Sequence, residues 1–179
     1  GEDATDFRNG DHTTTLIRTE QGKVIEIQHN VMNPQPYNRK YQLTGTRGFA
    51  NKYPIEGYAL SSQQMKDSGV KPQLEDLSGH SFLKEQDHKA LVEHYKSPIL
   101  DIYGKKAKEV GGHGGMDFIM DYRLIYCLQN GLPLDQDVYD AAEWSCIGEL
   151  SAASIAHHGM PVKMPDFTRG DWQKVNGYK

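Results

Sequence analysis

Apolar and polar residues alternate with period two near the start of the chain and follow helical spacing toward its end. In "HTTTLIRTEQGKVIEIQHN", residues 12–30, Thr13, Thr15 and Ile17 alternate with Thr14, Leu16 and Arg18. After the turn "EQG", Val24, Glu26 and Gln28 alternate with Ile25, Ile27 and His29. Such alternation around a glycine-containing turn predicts a β-hairpin. One face of it is largely polar, which predicts a sheet covered on one side and open on the other. "KYQLTG", "GFANKYP" and "EGYAL" extend the strand pattern, with Gly45 and Gly48 bracketing a tight turn. Residues 61–85 are polar and weakly periodic, and predict an irregular excursion with "LEDL" as a short strand.

Helices follow. "EQDHKALVEHY" reads as a helix, and Pro98 marks a break before "ILDIYGKKAKEV". "GGHGG" separates this from "MDFIMDYRLIYCLQNG", where Met116, Ile119, Met120, Arg123, Leu124 and Cys127 keep helical spacing and Asn130–Gly131 is a stop signal. "PLDQDVYDAAEWSCIGELSAASIAHHG" predicts the longest helix, starting at Asp135 or Asp137 and ending at Gly159, and "PVKMPDF" predicts a closing edge strand. Strands first and helices last predict an α+β fold: a mostly antiparallel open sheet with helices on one face.

Composition narrows the function classes. The 179 residues suit one domain or one lobe of a larger protein. A net charge of −4 argues against a nucleic-acid or membrane-surface partner. No stretch has the ~20 apolar residues of a membrane span. No signal peptide opens the chain, and the start "GEDATDF" reads as internal, with any targeting segment upstream. Cys127 and Cys146 lack metal-type spacing and read as small buried apolar residues.

Motif chemistry is sparse. No G-x-G-x-x-G follows a strand; "GGHGG" lies between helices, as a connector or as a cradle for an anion or sugar hydroxyl. His113 and Asp117 share a helix face, either as two metal ligands lacking a third or as a cap that orders the loop. His157 and His158 complement the carbonyl end of the long helix. Asp140, Glu143 and Glu149 read as paired carboxylates or as water-facing charges. A tyrosine flanked by Pro34 and Pro36, Tyr37, is either a packing residue or a stiffened contact for a ligand. These residues alone do not give a reaction.

The order of the motifs adds to this. "LTGTRGF", "NGLPLDQDV" and "SAASIAHHGMPVKMP" resemble the C-terminal lobe of the glucose–fructose oxidoreductase and inositol dehydrogenase superfamily (Gfo/Idh/MocA). "GDHTTTLI", "NPQPYNRKYQLTGTRGF", "GGHGGMDFIMDYRL", "PLDQDVYDAAEW" and "MPDFTRGDW" are similar to glycoside hydrolase family 109, which includes α-N-acetylgalactosaminidases. The resemblance covers nearly the whole chain except residues 61–85. It implies a two-lobe enzyme in which residues 1–179 form the C-terminal substrate and oligomerisation lobe and an upstream Rossmann lobe binds NAD.

The implied reaction removes a hydride from carbon 3 of the sugar and a proton from carbon 2. Elimination breaks the glycosidic bond, water adds and the hydride returns, outside the two-carboxylate pattern of most glycosidases. Tyr37 matches the family's substrate-contacting tyrosine, with Asn38 and Arg39 beside it, and His113 is a second candidate substrate contact. The catalytic residues, among them a Tyr-x-x-His segment, are expected upstream, with no cofactor or metal site in this chain. The isolated chain is therefore expected to be inactive. The expected partners are a sugar, the Rossmann lobe and a second copy meeting the open sheet face. Location stays open between periplasm, exterior and cytoplasm. An NAD(P)-dependent sugar dehydrogenase and a non-catalytic, sheet-mediated assembly module are the alternatives.

Overall fold

The alternating residues near the start pair as an antiparallel hairpin of β1 (His12–Arg18) and β2 (Val24–Asn30), in the register Thr15↔Ile27. The computed structural model describes residues 10–71 and 78–174. Gly22, at φ 78°, makes the turn, and its N–H donates to the Thr19 carbonyl (2.9 Å). Thr13, Thr15 and Ile17 are half-buried while their neighbours in β1 are exposed, as the alternation predicts. Three short strands follow: β3 (Gln42–Thr44), β4 (Gly48–Asn51) and β5 (Gly57–Leu60). They form a second antiparallel sheet in the order β3-β4-β5, with Gly45 N–H donating to the Gly48 carbonyl (2.8 Å) across the tight turn. The α+β class holds, with the described strands divided between two small sheets.

The chain divides into two compact units, one of residues 1–33 and 120–179 and the other of residues 34–119. In the second unit, α1 (Ser62–Asp67) and α2 (Glu85–His94) bury Met65 and Leu91 with Val70 and Leu83, against Tyr58 and Leu60 of β5. Leu83 N–H donates to the Tyr58 carbonyl (2.7 Å), so the loop before α2 is tied to the sheet edge. α3 (Pro98–Val110) starts with Pro98 in its first turn, where a missing N–H costs nothing.

The helix α4 (Met116–Asn130) ends where Gly131, at φ 62°, lets the Leu132 N–H reach back to the Cys127 carbonyl (2.9 Å). In the first unit, α5 (Val138–Ala156) lies on the half-buried face of the hairpin, where the Thr15 and Ser151 hydroxyls share a 2.8 Å hydrogen bond. α5 begins at Asp137, whose carboxylate accepts from the Tyr139 and Asp140 amides. The Asp140 carboxylate returns the bond to the Asp137 N–H (2.8 Å), completing a capping box.

Asp135 has a different task. It accepts two bonds from the Arg123 guanidinium, 2.8 Å from Nε and 2.7 Å from Nη2. That hydrogen bonding holds the Asp135 carboxyl below the usual carboxylate range. A lowered folded value means that the pair's contribution is complete above the ordinary carboxylate pKa and is lost as pH falls through the lowered one. Asp135→Asn should therefore flatten the acid limb of a melting curve between about pH 5 and pH 2 and leave its neutral limb nearly parallel. Solvent screening keeps the effect small; an acid limb as steep as the parent's in circular dichroism melts would remove the pair from the acid transition.

Three expectations meet a different outcome. Residues 161–167, "PVKMPDF", form no strand. Pro161 and Pro165 have no N–H to give a ladder, and the Asp166 carboxylate instead folds the following loop, accepting from Thr168 N–H (3.0 Å) and Gly170 N–H (2.7 Å). Residues 62–67 are helical rather than irregular. "LEDL" lies outside the described residues. Both cysteines are free; Cys127 is buried, and Cys146 is half-buried, its thiol directed at the Glu143 carbonyl (3.2 Å). No described helix is long and apolar enough to cross a membrane.

Candidate functional site

Residues 34–55 build an exposed aromatic cluster beside the edge strand β3. Pro34 and Pro36 limit the backbone ahead of Tyr37. The Asn38 side-chain oxygen then accepts from the Lys40 N–H (2.6 Å), a local turn that sets Lys40 at φ 47°. The turn folds Arg39 back so that its Nε donates to the Tyr37 hydroxyl, with the guanidinium carbon 5.5 Å from the ring centre. Tyr53 presents its ring to both neighbours, edge to face, at 5.7 Å from Tyr37 and 6.1 Å from Tyr41. Two bonds hold the arrangement: Lys52 N–H to the Tyr41 carbonyl (3.0 Å) and Asn51 Nδ2 to the Ile55 carbonyl (2.6 Å). Hydrogen bonding by Tyr41, and then by Tyr37, raises the Arg39 pKa further.

Tyr37 leaves 69% of its surface open, so it is not a core residue. Its oxygen accepts from Arg39, which leaves the hydroxyl hydrogen for an outside acceptor. The Tyr37 and Tyr41 rings add apolar surface of the kind that takes the C–H face of a sugar, and Arg39 keeps donors for a carbonyl or hydroxyl oxygen.

The glycine run makes a second cluster. Gly111, Gly112, His113, Gly114 and Gly115 all have positive φ, from 47° at His113 to 98° at Gly115. Two of these glycines are also required by space. A Cβ on Gly112 would lie 2.7 Å from the Asp117 carboxylate, and one on Gly115 would lie 2.7 Å from the Ala107 carbonyl carbon. The loop therefore packs on the end of α3 and turns His113 onto the first turn of α4. His113 Nδ1 sits 3.1 and 3.0 Å from the two Asp117 carboxylate oxygens. With Nδ1–H donating to that carboxylate, Nε2 is the ring's outward acceptor.

The chain matches the family description "Glycosyl hydrolase 109, C-terminal domain" over residues 2–174. It is 66% identical over its whole length to glycosyl hydrolase family 109 protein 5 of Phocaeicola vulgatus, of which it covers 34%. It is 60% identical over its whole length to a family 109 protein of Porphyromonas gingivalis and 58% to family 109 protein 1 of Bacteroides thetaiotaomicron, covering 38% of each. This chain belongs to glycosyl hydrolase family 109. It spans about a third of the length of these relatives, and the part they share with it is the family 109 C-terminal domain.

Within this family 109 domain, the two predicted contacts stand in separate clusters. Tyr37 meets Arg39 and Tyr53, while His113 meets Asp117, with no shared partner among the described residues. His157 is occupied as a helix end, its Nδ1 lying 2.8 Å from the Ala153 carbonyl. Asp140 is taken by the α5 cap, and Glu143 and Glu149, six residues apart, point from different sides of the helix. No group of three or more potential metal ligands occurs among the described residues. Arg39, Tyr41 and Tyr53 are the members of the cluster that sequence reasoning leaves without a role. The signal for Arg39 is Asn38 two residues before Lys40, the spacing of a side-chain turn that folds Arg39 back toward Tyr37.

Proposed function

We propose that this chain is the substrate-side lobe of an NAD-dependent glycosidase that acts by transient oxidation and elimination on α-N-acetylgalactosaminides or related glycosides. The observation that carries the reading is the open Tyr37–Arg39–Tyr53 cluster in a family 109 domain. In this reading Tyr37 donates its hydroxyl hydrogen to a sugar oxygen, Arg39 fixes that hydroxyl and offers its remaining donors, and His113 accepts a sugar hydroxyl through Nε2. The residues present do not fit a dinucleotide. The glycine run follows α3 rather than a strand, and the Gly115 and Asp117 amides already donate to the Gly112 carbonyl, at 2.9 and 3.4 Å. NAD would be held outside residues 1–179, and no chemical step is assigned to this chain.

The deciding experiment incubates the full-length enzyme with an aryl α-N-acetylgalactosaminide while following both phenol and NADH. Catalytic release of sugar without net NADH supports the proposal. Net NADH without sugar release makes the protein a sugar dehydrogenase, and neither signal with any aryl glycoside leaves the assembly module.

His113 supplies a second test. A non-glycine residue at φ 47° is strained, at about 1–2 kcal/mol, while its exposed contact with Asp117 adds little. His113→Gly should therefore melt no lower than the parent and yet lose roughly tenfold in kcat/KM, as expected for one lost hydrogen bond. A lowered Tm with unchanged kcat/KM would make the histidine a loop-ordering residue only.

A further inference from the structure

Carboxylates outnumber cations in this chain, 24 Asp and Glu against 20 Lys and Arg, yet none occurs between Glu26 and Glu56. That interval holds Arg39, Lys40, Arg47 and Lys52, and all three tyrosines of the aromatic cluster. Arg47 is paired with Asp67 at 3.5 Å. Arg39, Lys40 and Lys52 are exposed and have no ion-pair partner among the described residues. Other lysines of the same unit are paired, Lys89 with Glu85 and Lys96 with Asp101.

The acceptors of the cluster are engaged within it. The Asn38 side-chain oxygen takes the Lys40 N–H, the Tyr41 carbonyl takes the Lys52 N–H, and the Tyr53 and Ile55 carbonyls take Asn51 Nδ2. The Asn51 side-chain oxygen is buried. Donors remain: the Tyr37 hydroxyl hydrogen, the two terminal guanidinium nitrogens of Arg39, and the Lys40 and Lys52 ammonium groups. A neutral sugar hydroxyl both donates and accepts, so half of its bonding capacity is left to water here. A carboxylate or a sulfate ester only accepts, and the planar guanidinium fork matches two of its oxygens.

We propose that this face selects sugars that carry an anion, a carboxylate or a sulfate ester, on carbon 4 or carbon 6 of the ring that Tyr37 contacts. The inference rests on the reading of the cluster as the sugar site, and adds to it the class of sugar. Arg39 places the anion on that ring rather than on a neighbouring one. Its Nε holds the Tyr37 hydroxyl, and its terminal nitrogens belong to the same planar group. Carbons 1 to 3 take part in the oxidation and elimination proposed above, which leaves the hydroxyls of carbons 4 and 6 to bear the charge. Lys40 follows Arg39 in the chain, and Lys52 is tied through its N–H to Tyr41. Both add positive potential where no carboxylate cancels it.

Calorimetry of the full-length protein with four free sugars tests it: N-acetylgalactosamine, its 4-sulfate, its 6-sulfate and its 6-carboxylate. At low ionic strength at least one anionic sugar should bind about fivefold or more tightly than the neutral one, the excess of a charged over a neutral hydrogen bond. The sulfate and carboxylate arms show which anion is held. The excess should shrink as added salt shortens the screening length. Arg39→Met, and Lys40→Gln combined with Lys52→Gln, should each reduce it at an unchanged Tm. Equal Kd for all four sugars overturns the proposal and leaves Tyr37 in a site for neutral sugars. A preference that survives both salt and Arg39→Met also overturns it, by placing the anion on other residues. Binding of none of the four ends this proposal together with the reading of the cluster as a sugar site. Turnover does not enter the readout, so net oxidation in place of hydrolysis leaves the result standing.

Discussion

Gly115→Ala is expected to cost the domain about 2–5 kcal/mol. Two terms add. The backbone there has φ 98°, where an L side chain is disfavoured by about 1–2 kcal/mol. The new Cβ would also lie 2.7 and 2.9 Å from the Ala107 carbonyl carbon and oxygen, and 2.9 Å from Lys108 N. These are backbone atoms of α3 and cannot rotate away, so overpacking adds about 1–3 kcal/mol. The melting temperature should fall by roughly 5–20 °C. Gly114→Ala separates the terms: Gly114 has φ 73°, but nothing lies within 4 Å of a Cβ there. It should lose only the conformational part. Equal losses in the two variants, measured by thermal melts, would show that the packing of the glycine run on α3 contributes nothing.

Tyr37→Phe is expected to reduce kcat/KM of the full-length enzyme by roughly tenfold to a hundredfold, the equivalent of about 1–3 kcal/mol of hydrogen bonding in the transition state. The ring stays, so its edge-to-face contact with Tyr53 stays. What disappears is the hydrogen donated outward and the oxygen that accepts from Arg39. Stability should hardly change, because the side chain is open to water and that bond is exposed. Arg39→Met is the companion variant. It frees the Tyr37 hydroxyl without removing it and should give a smaller loss, carried more by KM than by kcat. Unchanged efficiency with a lowered Tm in Tyr37→Phe would remove Tyr37 from the site.

The reach of local sequence signals can be judged element by element. The hairpin of residues 12–30 was legible because alternation and a glycine turn agree, and α3 and α4 because Pro98 and Gly131 mark their ends. α1 is only six residues long and carries one buried side chain, Met65, too few to show a period. Its one signal is Ser61 three residues before Gln64, the spacing of a capping box, and the Ser61 hydroxyl does accept from the Gln64 N–H (3.1 Å). "PVKMPDF" misleads in the opposite sense: its apolar residues suggest a strand, while two prolines remove ladder donors and the Asp166 side chain draws the Thr168 and Gly170 amides into a turn.

The sequence by itself determined the α+β class, most helix ends, the open aspect of the hairpin and, through the order of its motifs, the family. These depend on residues close together along the chain, where turn chemistry and periodicity act directly. Choices between equivalent neighbours were settled only in three dimensions. Asp135 and Asp137 are equally good helix starters on paper; Asp137 caps α5 because Arg123, twelve residues back from Asp135, claims the other carboxylate. Likewise Tyr37 reads as core or as surface until Asn38 turns the chain and brings Arg39 onto its hydroxyl. The glycine run is similar. Spacing alone shows a flexible connector, but the Ala107 backbone and the Asp117 carboxylate occupy the space that side chains at Gly115 and Gly112 would need, and that contact is made by the fold.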